Sequence, residues 1–448
     1  MNRLHGLRHV APGLLLAGLA ACAAPDVDPA PDYQEASRLV AERSDWDPGW
    51  QAPWADDTTT WDGTSPLAAS QAVTVALHDN RGLRSELEGI AGAKADLAQA
   101  GLLPNPTFSA ALLSTVDGPA NAFSIAQELA QLWLRPPQTD AAAAALRAAV
   151  QSVGDHALRL AADVRAAHAR VVHAQRGVEL LAANADVIQR ALDVAQRRLD
   201  AGEGTQLDVN RLREELLSAQ SDQQTQQLEL LTTRRDLLAL MGRADAPAEW
   251  QVVADPRLQP AGLGELTEAD AVARATGQRL DVQAARSIYE QRRHELSAAS
   301  RGAIPDIAVG YDWGKDQDDL RSHGFDFSIE VPLFDTHSVA EAKAGSDVRA
   351  AAADADQVLQ TAVNQTRSAF LTLQANARLV AFFRDQVLAL AHDNQAAAQR
   401  AWDVGEADVT VVLDTQREVS DAEIKLNDLE LDLATSAAEL EYVVGGKL

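Results

Sequence analysis

The chain has 448 residues, 23% of them charged, and a formal net charge of −26. That acidity argues against a nucleic-acid binder, because no basic stripe is available to neutralise phosphates, and it fits a surface or pore that attracts cations. A mean hydropathy of −0.18, with no run of about 18 apolar residues beyond the N-terminus, excludes an ordinary transmembrane helix; aromatics at 4% are thin for a large globular core, and the Ala- and Leu-rich apolar content suits narrow helix seams instead.

The single cysteine, Cys22, excludes intrachain disulfides and cysteine-based metal sites. Arg3 and Arg8 form a positive region, Val10 to Ala20 an apolar one, and Leu19-Ala20-Ala21-Cys22 follows. Small residues before a cleavage point mark a secretory signal, here residues 1–21. The segment resembles the bacterial lipoprotein signal, which implies cleavage before Cys22 and acylation of its sulfur and new amino group. An ordinary signal peptide with an incidental cysteine is the alternative. Ala23, not Asp, follows, and the same resemblance then implies sorting to the outer membrane.

Residues 22–65 are rich in Pro, Asp and Trp, with Trp46, Trp50, Trp54 and Trp61 close together. They read as an extended arm whose tryptophans pack on a helical body or sit at an interface. From 66 the chain is written twice, as 66–242 and 266–448, joined by a Pro- and Gly-containing linker, 243–265. Gly101-Leu102-Leu103-Pro104-Asn105-Pro106 answers Gly302-Ala303-Ile304-Pro305-Asp306, Gly202-Glu203 answers Gly405-Glu406, and Leu240-Met241-Gly242 answers Val443-Val444-Gly445. A repeat of roughly 200 residues is a tandem fold and not a short solenoid.

Each copy opens with a helix, 66–100 and 266–300, apolar at helical spacing in the first (Val73, Ala76, Leu77, Leu83, Leu87) and closed by Pro104 or Pro305. A strand pair follows. In the second copy, 304–334, Ile307, Val309, Tyr311 and Trp313 alternate with polar or small residues, as do Phe325, Phe327, Ile329, Val331 and Leu333. Strict alternation gives one oily and one polar face, over runs the length of a tilted membrane strand. The first pair, 106–133, is weaker: Phe108, Ala110 and Leu112 share a face, as do Phe123, Ile125 and Leu129, interrupted by Gln127.

A long helix comes next, 139–201. Val150, Ala157, Val164, Val171, Val178, Ala185, Leu192 and Leu199 form one heptad set; Leu146, Val153, Leu160, Ala167, Ala174, Leu181, Ile188 and Ala195 form the other. About 60 residues give a rod of about 90–95 Å. The second long helix, 337–404, has a broken register, with Thr366, Asn376 and Asn394 interrupting the seam. Each ends at a glycine, Gly202 or Gly405, beyond which a return helix, 206–241 or 409–443, runs back antiparallel. Four oily-faced strands cannot form a stable open sheet in lipid, because both edges stay unsatisfied. They require strands from further copies of the chain.

The order of these pieces over about 400 residues resembles the TolC-like outer membrane efflux proteins, especially lipid-anchored members. The most specific matches are the turns Gly202-Glu-Gly-Thr-Gln-Leu-Asp208 and Gly405-Glu-Ala-Asp-Val-Thr-Val411-Val412-Leu413-Asp414, with Val331-Pro332-Leu333-Phe334-Asp335 at the second strand exit. The resemblance implies a mainly α fold with transmembrane β: a homotrimer whose twelve-stranded barrel continues into a long periplasmic α-helical barrel. It implies the exit duct of a tripartite pump, working with an inner-membrane transporter and a periplasmic adaptor in the outer membrane lipid, without cofactor or chemistry of its own. The oily positions Ile307, Val309, Tyr311, Trp313, Phe325, Phe327, Ile329 and Val331 would then face lipid. Asp414 matches one aspartate of the family's tip ring, whereas Val411 stands where another would be. Trp402 and Asp208 occupy the positions of a closing aromatic–carboxylate link, and Ala407 replaces the arginine of a second link, so the gate is expected to hold by fewer links.

No nucleophile elbow, P-loop or nucleotide-binding glycine pattern points to an enzyme. His78, His156, His168, His173, His294, His323, His337 and His392 form no metal-like motif and read as surface histidines. A lipid-anchored periplasmic coiled-coil scaffold or adaptor without channel activity is the alternative; it would not need oily strand pairs. Leu103-Pro104-Asn105-Pro106 and the Pro-Leu-Phe exit look most like members serving heavy-metal cation pumps.

Overall fold

The computed structural model describes residues 25–52, 61–115, 118–247, 249–253, 266–316, 318 and 320–447. Cys22 and Trp54 lie outside the described residues. In chain order the elements are α1 (Ala30–Arg43), β1 (Leu67–Ala68), α2 (Ala69–Asp79), α3 (Arg81–Ala100), β2 (Thr107–Thr115), β3 (Gly118–Glu128), α4 (Gln131–Asp200), α5 (Gln206–Leu240) and β4 (Val252–Val253). The second half adds α6 (Glu268–Gln278), α7 (Leu280–Arg301), β5 (Ile307–Lys315), β6 (Arg321–Ile329), α8 (Ser338–Phe382), a π-helical stretch Phe383–Leu388, α9 (Ala389–Asp403) and α10 (Val409–Val443). The chain divides into two compact units, the described parts of Met1–Pro29, Ile90–Leu146 and Ile288–Ala351, and of Ala30–Gly89, Arg147–Ser287 and Ala352–Leu448.

The first unit holds an antiparallel sheet in the order β2-β3-β5-β6. Its register places Phe108 opposite Ile125, Phe123 opposite Trp313, Ile125 opposite Tyr311, Tyr311 opposite Phe325 and Val309 opposite Phe327. Directly opposed residues share a face, so the weakly patterned first pair lays its apolar side chains against those of the regular second pair. Val331 departs from expectation. Pairing ends when the Glu330 N–H donates to the Asp306 carbonyl at 3.0 Å, and Leu333 N–H turns back onto the Val331 carbonyl at 2.8 Å. Val331 is exposed but belongs to the strand-to-helix turn and not to β6.

Helix α4 starts eight residues earlier than the sequence suggests, with Pro136 and Pro137 inside it. A proline cannot donate to the carbonyl four residues back. The carbonyl that Pro137 leaves without its helical donor is that of Trp133, and Arg301 Nη1 supplies a hydrogen bond to it at 3.1 Å.

In the second unit the predicted helices 66–100 and 266–300 are each broken, at Asn80 (ψ 118°) and Arg279 (ψ 131°). The breaks are equivalent in the two repeats and receive the ends of the return helices. Asn80 Nδ2 donates to the Leu240 carbonyl at 2.8 Å, and Arg279 Nη1 to the Val443 carbonyl at 3.4 Å. Gly242 and Gly445 follow those carbonyls so closely that a Cβ would lie 2.3 Å from the Asp79 oxygen in one case and 2.8 Å from the Arg279 nitrogen in the other.

The arm is not wholly extended. Tyr33, Ala36, Leu39 and Val40 are spaced to fill one helical face, and α1 buries them. Trp50 and Trp61 are core residues whose indole N–H groups donate to the carbonyls of Leu77 and Ser65, and Trp61 meets Trp250 edge-on at 5.6 Å. The α4 heptad positions Val150, Val153, Ala157, Val164, Ala167, Val171 and Ala174 are buried. His168, expected at the surface, is fully buried, because its face of α4 lies under β1, where its Nε2 is 3.0 Å from the Leu67 carbonyl.

The irregular register of the second long helix has two sources. Its α-helical winding is interrupted by the π-helical stretch, which shifts the heptad phase. Thr366 is buried and donates to the Val443 carbonyl at 3.0 Å, and Asn376 donates to the Asp432 carbonyl and to Ser436 Oγ of α10. These positions trade apolar packing for bonds across the seam.

Candidate functional site at the hairpin tip

Two helix reversals in the second unit carry the residues picked from the sequence. After α4, Gly202 takes φ 77° and Glu203 N–H donates to the Arg198 carbonyl at 2.8 Å; after α9, Gly405 takes φ 80° and Glu406 N–H donates to the Ala401 carbonyl at 2.8 Å. Both are left-handed caps closed by a bond to the carbonyl five residues back. No atom lies within 4 Å of where either Cβ would be, so glycine is required here by backbone conformation and not by crowding.

All four helices meet just behind these turns. Ile188 and Ala195 of α4, Val209, Leu212 and Leu216 of α5, Trp402 of α9, and Val409, Val412 and Leu413 of α10 form one apolar core. Trp402 is 6% exposed, with the Arg198 guanidinium 4.6 Å from its ring centroid. Asp208 is the third residue of α5 and closes a capping box. Its carboxylate accepts from the Thr205 amide at 3.3 Å and hydroxyl at 2.7 Å, while Thr205 Oγ1 accepts from the Asp208 amide. No hydrogen bond joins Trp402 to Asp208 among the described residues of this chain: the Asp208 carboxylate is committed to Thr205, and the Trp402 ring lies in the tip core against the Arg198 guanidinium of α4. Val411 is 45% exposed. Asp414, one turn on, has a side chain that is 71% exposed.

A polar layer that residue spacing does not announce lies behind Asp414. Arg417 Nε donates to Glu215 Oε1 at 2.9 Å and its Nη2 to Glu215 Oε2, a two-pronged pair between the two return helices. The Arg417 guanidinium holds the Glu215 carboxyl below the usual carboxylate range. Gln416, buried, donates to Asn184 Oδ1 of α4 at 3.0 Å and accepts from Gln395 of α9. Spacing alone could have placed Arg417 beside Asp414 on one helix face; its pairing with Glu215, two hundred residues away, leaves no local signal.

The apolar face of the sheet gathers Ile307, Val309, Tyr311, Trp313, Phe325, Phe327 and Ile329, with Phe108, Phe123 and Ile125 beside them. Phe123 and Trp313 stack at 5.8 Å, Tyr311 and Trp313 at 6.0 Å, and Tyr311 meets Phe325 edge-on at 5.3 Å. Phe325 is nonetheless 86% exposed. The opposite face carries Ser109, Ser124, Asp312 and Asp326, with Ser109 and Ser124 hydroxyls 2.9 Å apart. Strands β2 and β6 are the edges of this sheet. Among the described residues no helix is long and apolar enough to cross a membrane, and no group of three or more His, Cys, Asp or Glu side chains is arranged to hold a metal ion.

Residues 271–446 match the family described as outer membrane efflux protein. The chain is 24% identical to the cobalt-zinc-cadmium resistance protein CzcC of Cupriavidus metallidurans over 396 residues, covering 86% of this chain and 91% of that one. It is 24% identical to the outer membrane protein TolC of Vibrio cholerae over 296 residues, covering 63% of this chain and 66% of the relative. In structure it superposes on CusC with a TM-score of 0.71 at 18% identity, covering 89% of this chain and 97% of the other. With duplicated helical hairpins and antiparallel strand pairs beside these matches, the chain is similar to outer membrane efflux proteins in sequence, most specifically over 271–446, and shares their fold over most of its length.

Proposed function

We propose that this chain is the outer-membrane exit duct of a tripartite efflux system, taking substrates from an inner-membrane transporter and a periplasmic adaptor to the cell exterior. The observation that carries the reading is the sheet: one face is a continuous aromatic and aliphatic surface, the other is polar, and both edges are open. An apolar face this exposed is unstable in water, and open edges are unstable in lipid. Closure into a barrel with the strands of further copies removes both problems, and a homotrimer with twelve strands is the closure the fold supports. The apolar residues from Ile307 to Ile329 then contact lipid, and the Ser- and Asp-bearing face lines water.

Cys22 is the site of lipid attachment in this reading. The tip of the hairpins, with Asp414 on the exposed face of α10 and Val411 one turn before it, forms the periplasmic aperture. The proposed cargo is heavy-metal cations. Support comes from the near full-length similarity to a protein named for cobalt, zinc and cadmium resistance, and from the acidic character of the chain. In keeping with the tip core, closure rests on Trp402 packing and the Asp208 capping box within each chain.

Planar-bilayer recording of the purified mature protein tests the channel reading. Stable unitary conductance steps from a trimer-sized species are expected. A protein that inserts and yields no steps, even with Trp402 replaced to loosen the tip, would sink it. Deletion of the gene with metal-sensitivity assays tests the cargo: sensitivity to zinc, cobalt or cadmium is expected to rise, and unchanged sensitivity would remove the metal assignment while leaving the duct.

A further inference from the structure

The geometry points to Arg417 as a specificity-determining residue of the aperture: it offsets the charge of Asp414 while latching α10 to α5 through Glu215. This rests on the reading of the tip as the duct's periplasmic aperture. Val411 supplies no charge, so Asp414 is the first acidic side chain on this face of α10, and its side chain is 71% exposed. Arg417 sits one turn behind it, with Nη1 3.9 Å from Asp414 Oδ1. Its other nitrogens are committed to Glu215, whose side chain is only 18% exposed. Glu215, Arg417 and Asp414 therefore sum to a single negative charge per chain instead of two.

The arrangement is held from three sides. Gln416 ties α10 to Asn184 of α4 and Gln395 of α9, and Arg417 ties it to α5. A guanidinium fixed by a two-pronged bond cannot swing away from the aperture as a free side chain would. Its position beside Asp414 is thus part of the fold, and the charge a passing ion meets is set by all three groups. Charges lining a narrow water-filled passage govern which ions enter. Asp421, one turn further along α10, also acts on Arg417, and adds to the attraction that keeps the guanidinium on this face.

The test is reversal potential across a salt gradient in planar bilayers, using the full mature protein and the variants Arg417→Gln, Glu215→Gln and the exchange Glu215→Arg with Arg417→Glu. Arg417→Gln exposes two carboxylates and is expected to raise the cation-over-anion permeability ratio by roughly twofold or more. Glu215→Gln leaves the guanidinium to Asp414 and is expected to lower the ratio. Both single variants break the latch, so both raise unitary conductance, while their selectivities move in opposite directions. The exchange restores the summed charge and the pair, and returns both readings toward the unaltered protein. Steps that persist with reversal potentials unchanged in Arg417→Gln and Glu215→Gln overturn this inference alone. Absence of steps from the unaltered protein overturns the duct reading and this inference together.

Discussion

The guanidinium of Arg198 lies 4.6 Å from the centroid of the Trp402 ring and donates to the Trp402 carbonyl at 3.3 Å. One side chain thus covers the buried aromatic of the tip and adds a second donor to a carbonyl at the end of α9 that already accepts from the Gly405 N–H at 3.0 Å. The two hairpins are fastened to each other at this point, α4 to α9, just before both chains reverse. Replacing Trp402 with Ala removes the filler of the tip core and is expected to cost about 3 kcal/mol or more in unfolding stability. Trp402→Phe keeps most of the packing and the cation–π contact and should cost less. Denaturant unfolding of the tip, followed by hydrogen exchange in 188–216 and 398–416, checks this. Equal effects of the two variants would show that the ring does not carry the core.

The turn glycines make a prediction of a different kind. Since nothing crowds either Cβ position, Gly202→Ala and Gly405→Ala should cost only the backbone term, about 1–2 kcal/mol each. Gly405→Asn should cost less, because asparagine tolerates the left-handed region. Urea midpoints of the three variants give the comparison. A loss well above that range would point to contacts with another chain at the turn.

Much of this fold was legible because its signals are periodic and local. Alternation at 307–313 fixes a strand face whatever its partners, and an unbroken apolar heptad at 146–199 fixes a helix seam. The breaks at Asn80 and Arg279 were not legible, since both segments keep helical spacing on either side; the break is imposed by the return-helix ends that dock there. Thr366 and Asn376 read as flaws in a heptad because their partners, Val443 and the Asp432–Ser436 turn, lie some sixty to eighty residues away. At the tip, Asp414, Val411 and the glycines were visible from spacing. Asp208 was visible as a carboxylate; its commitment to Thr205, three residues before it, is a local capping box. Glu215 with Arg417 had no sequence signal at all.

Thr366 supplies a test of the seam. Its hydroxyl is buried, and its one proton is shared between the Ala362 carbonyl of its own helix at 2.8 Å and a helix-end carbonyl of α10 at 3.0 Å. Thr366→Val preserves the shape and removes the donor, leaving the Val443 carbonyl with the Arg279 bond at 3.4 Å. A loss of about 1–2 kcal/mol is expected. Thermal unfolding checks it, and a neutral outcome would mean that the Arg279 bond alone satisfies that carbonyl.

Asp155 is a buried carboxyl that accepts from the Tyr442 hydroxyl at 3.1 Å. Burial, with the Asp281 charge acting in the same sense, raises its pKa above the ordinary aspartate value, against the hydrogen bond from Tyr442 and the attraction of Arg279. Because the folded value is the higher one, the stabilising contribution is complete below the unfolded pKa and is lost as pH rises through the folded pKa. Asp155→Asn can still accept from Tyr442 and carries no charge. It is expected to be neutral to stabilising at pH 7, and to flatten the decline in stability on going from acid to neutral pH. A marked destabilisation at pH 7 would show instead that attraction to Arg279 outweighs burial.

Glu215 has the opposite sign. The Arg417 guanidinium lowers its pKa against the opposing effect of burial, so the pair stabilises the protein above the unfolded carboxyl value and this contribution is lost as pH falls through the depressed folded value. The pair should therefore hold throughout the neutral range and weaken as the solution becomes acid. Glu215→Gln is expected to lower stability by about 1 kcal/mol at pH 7, in the range of partly exposed pairs, with the difference from the unaltered protein vanishing at acid pH. Unfolding free energies measured for both proteins across acid and neutral pH decide this. A difference that stayed constant with pH would mean that Glu215 acts through packing, since only an ionised carboxylate loses its hold on Arg417 when it takes up a proton.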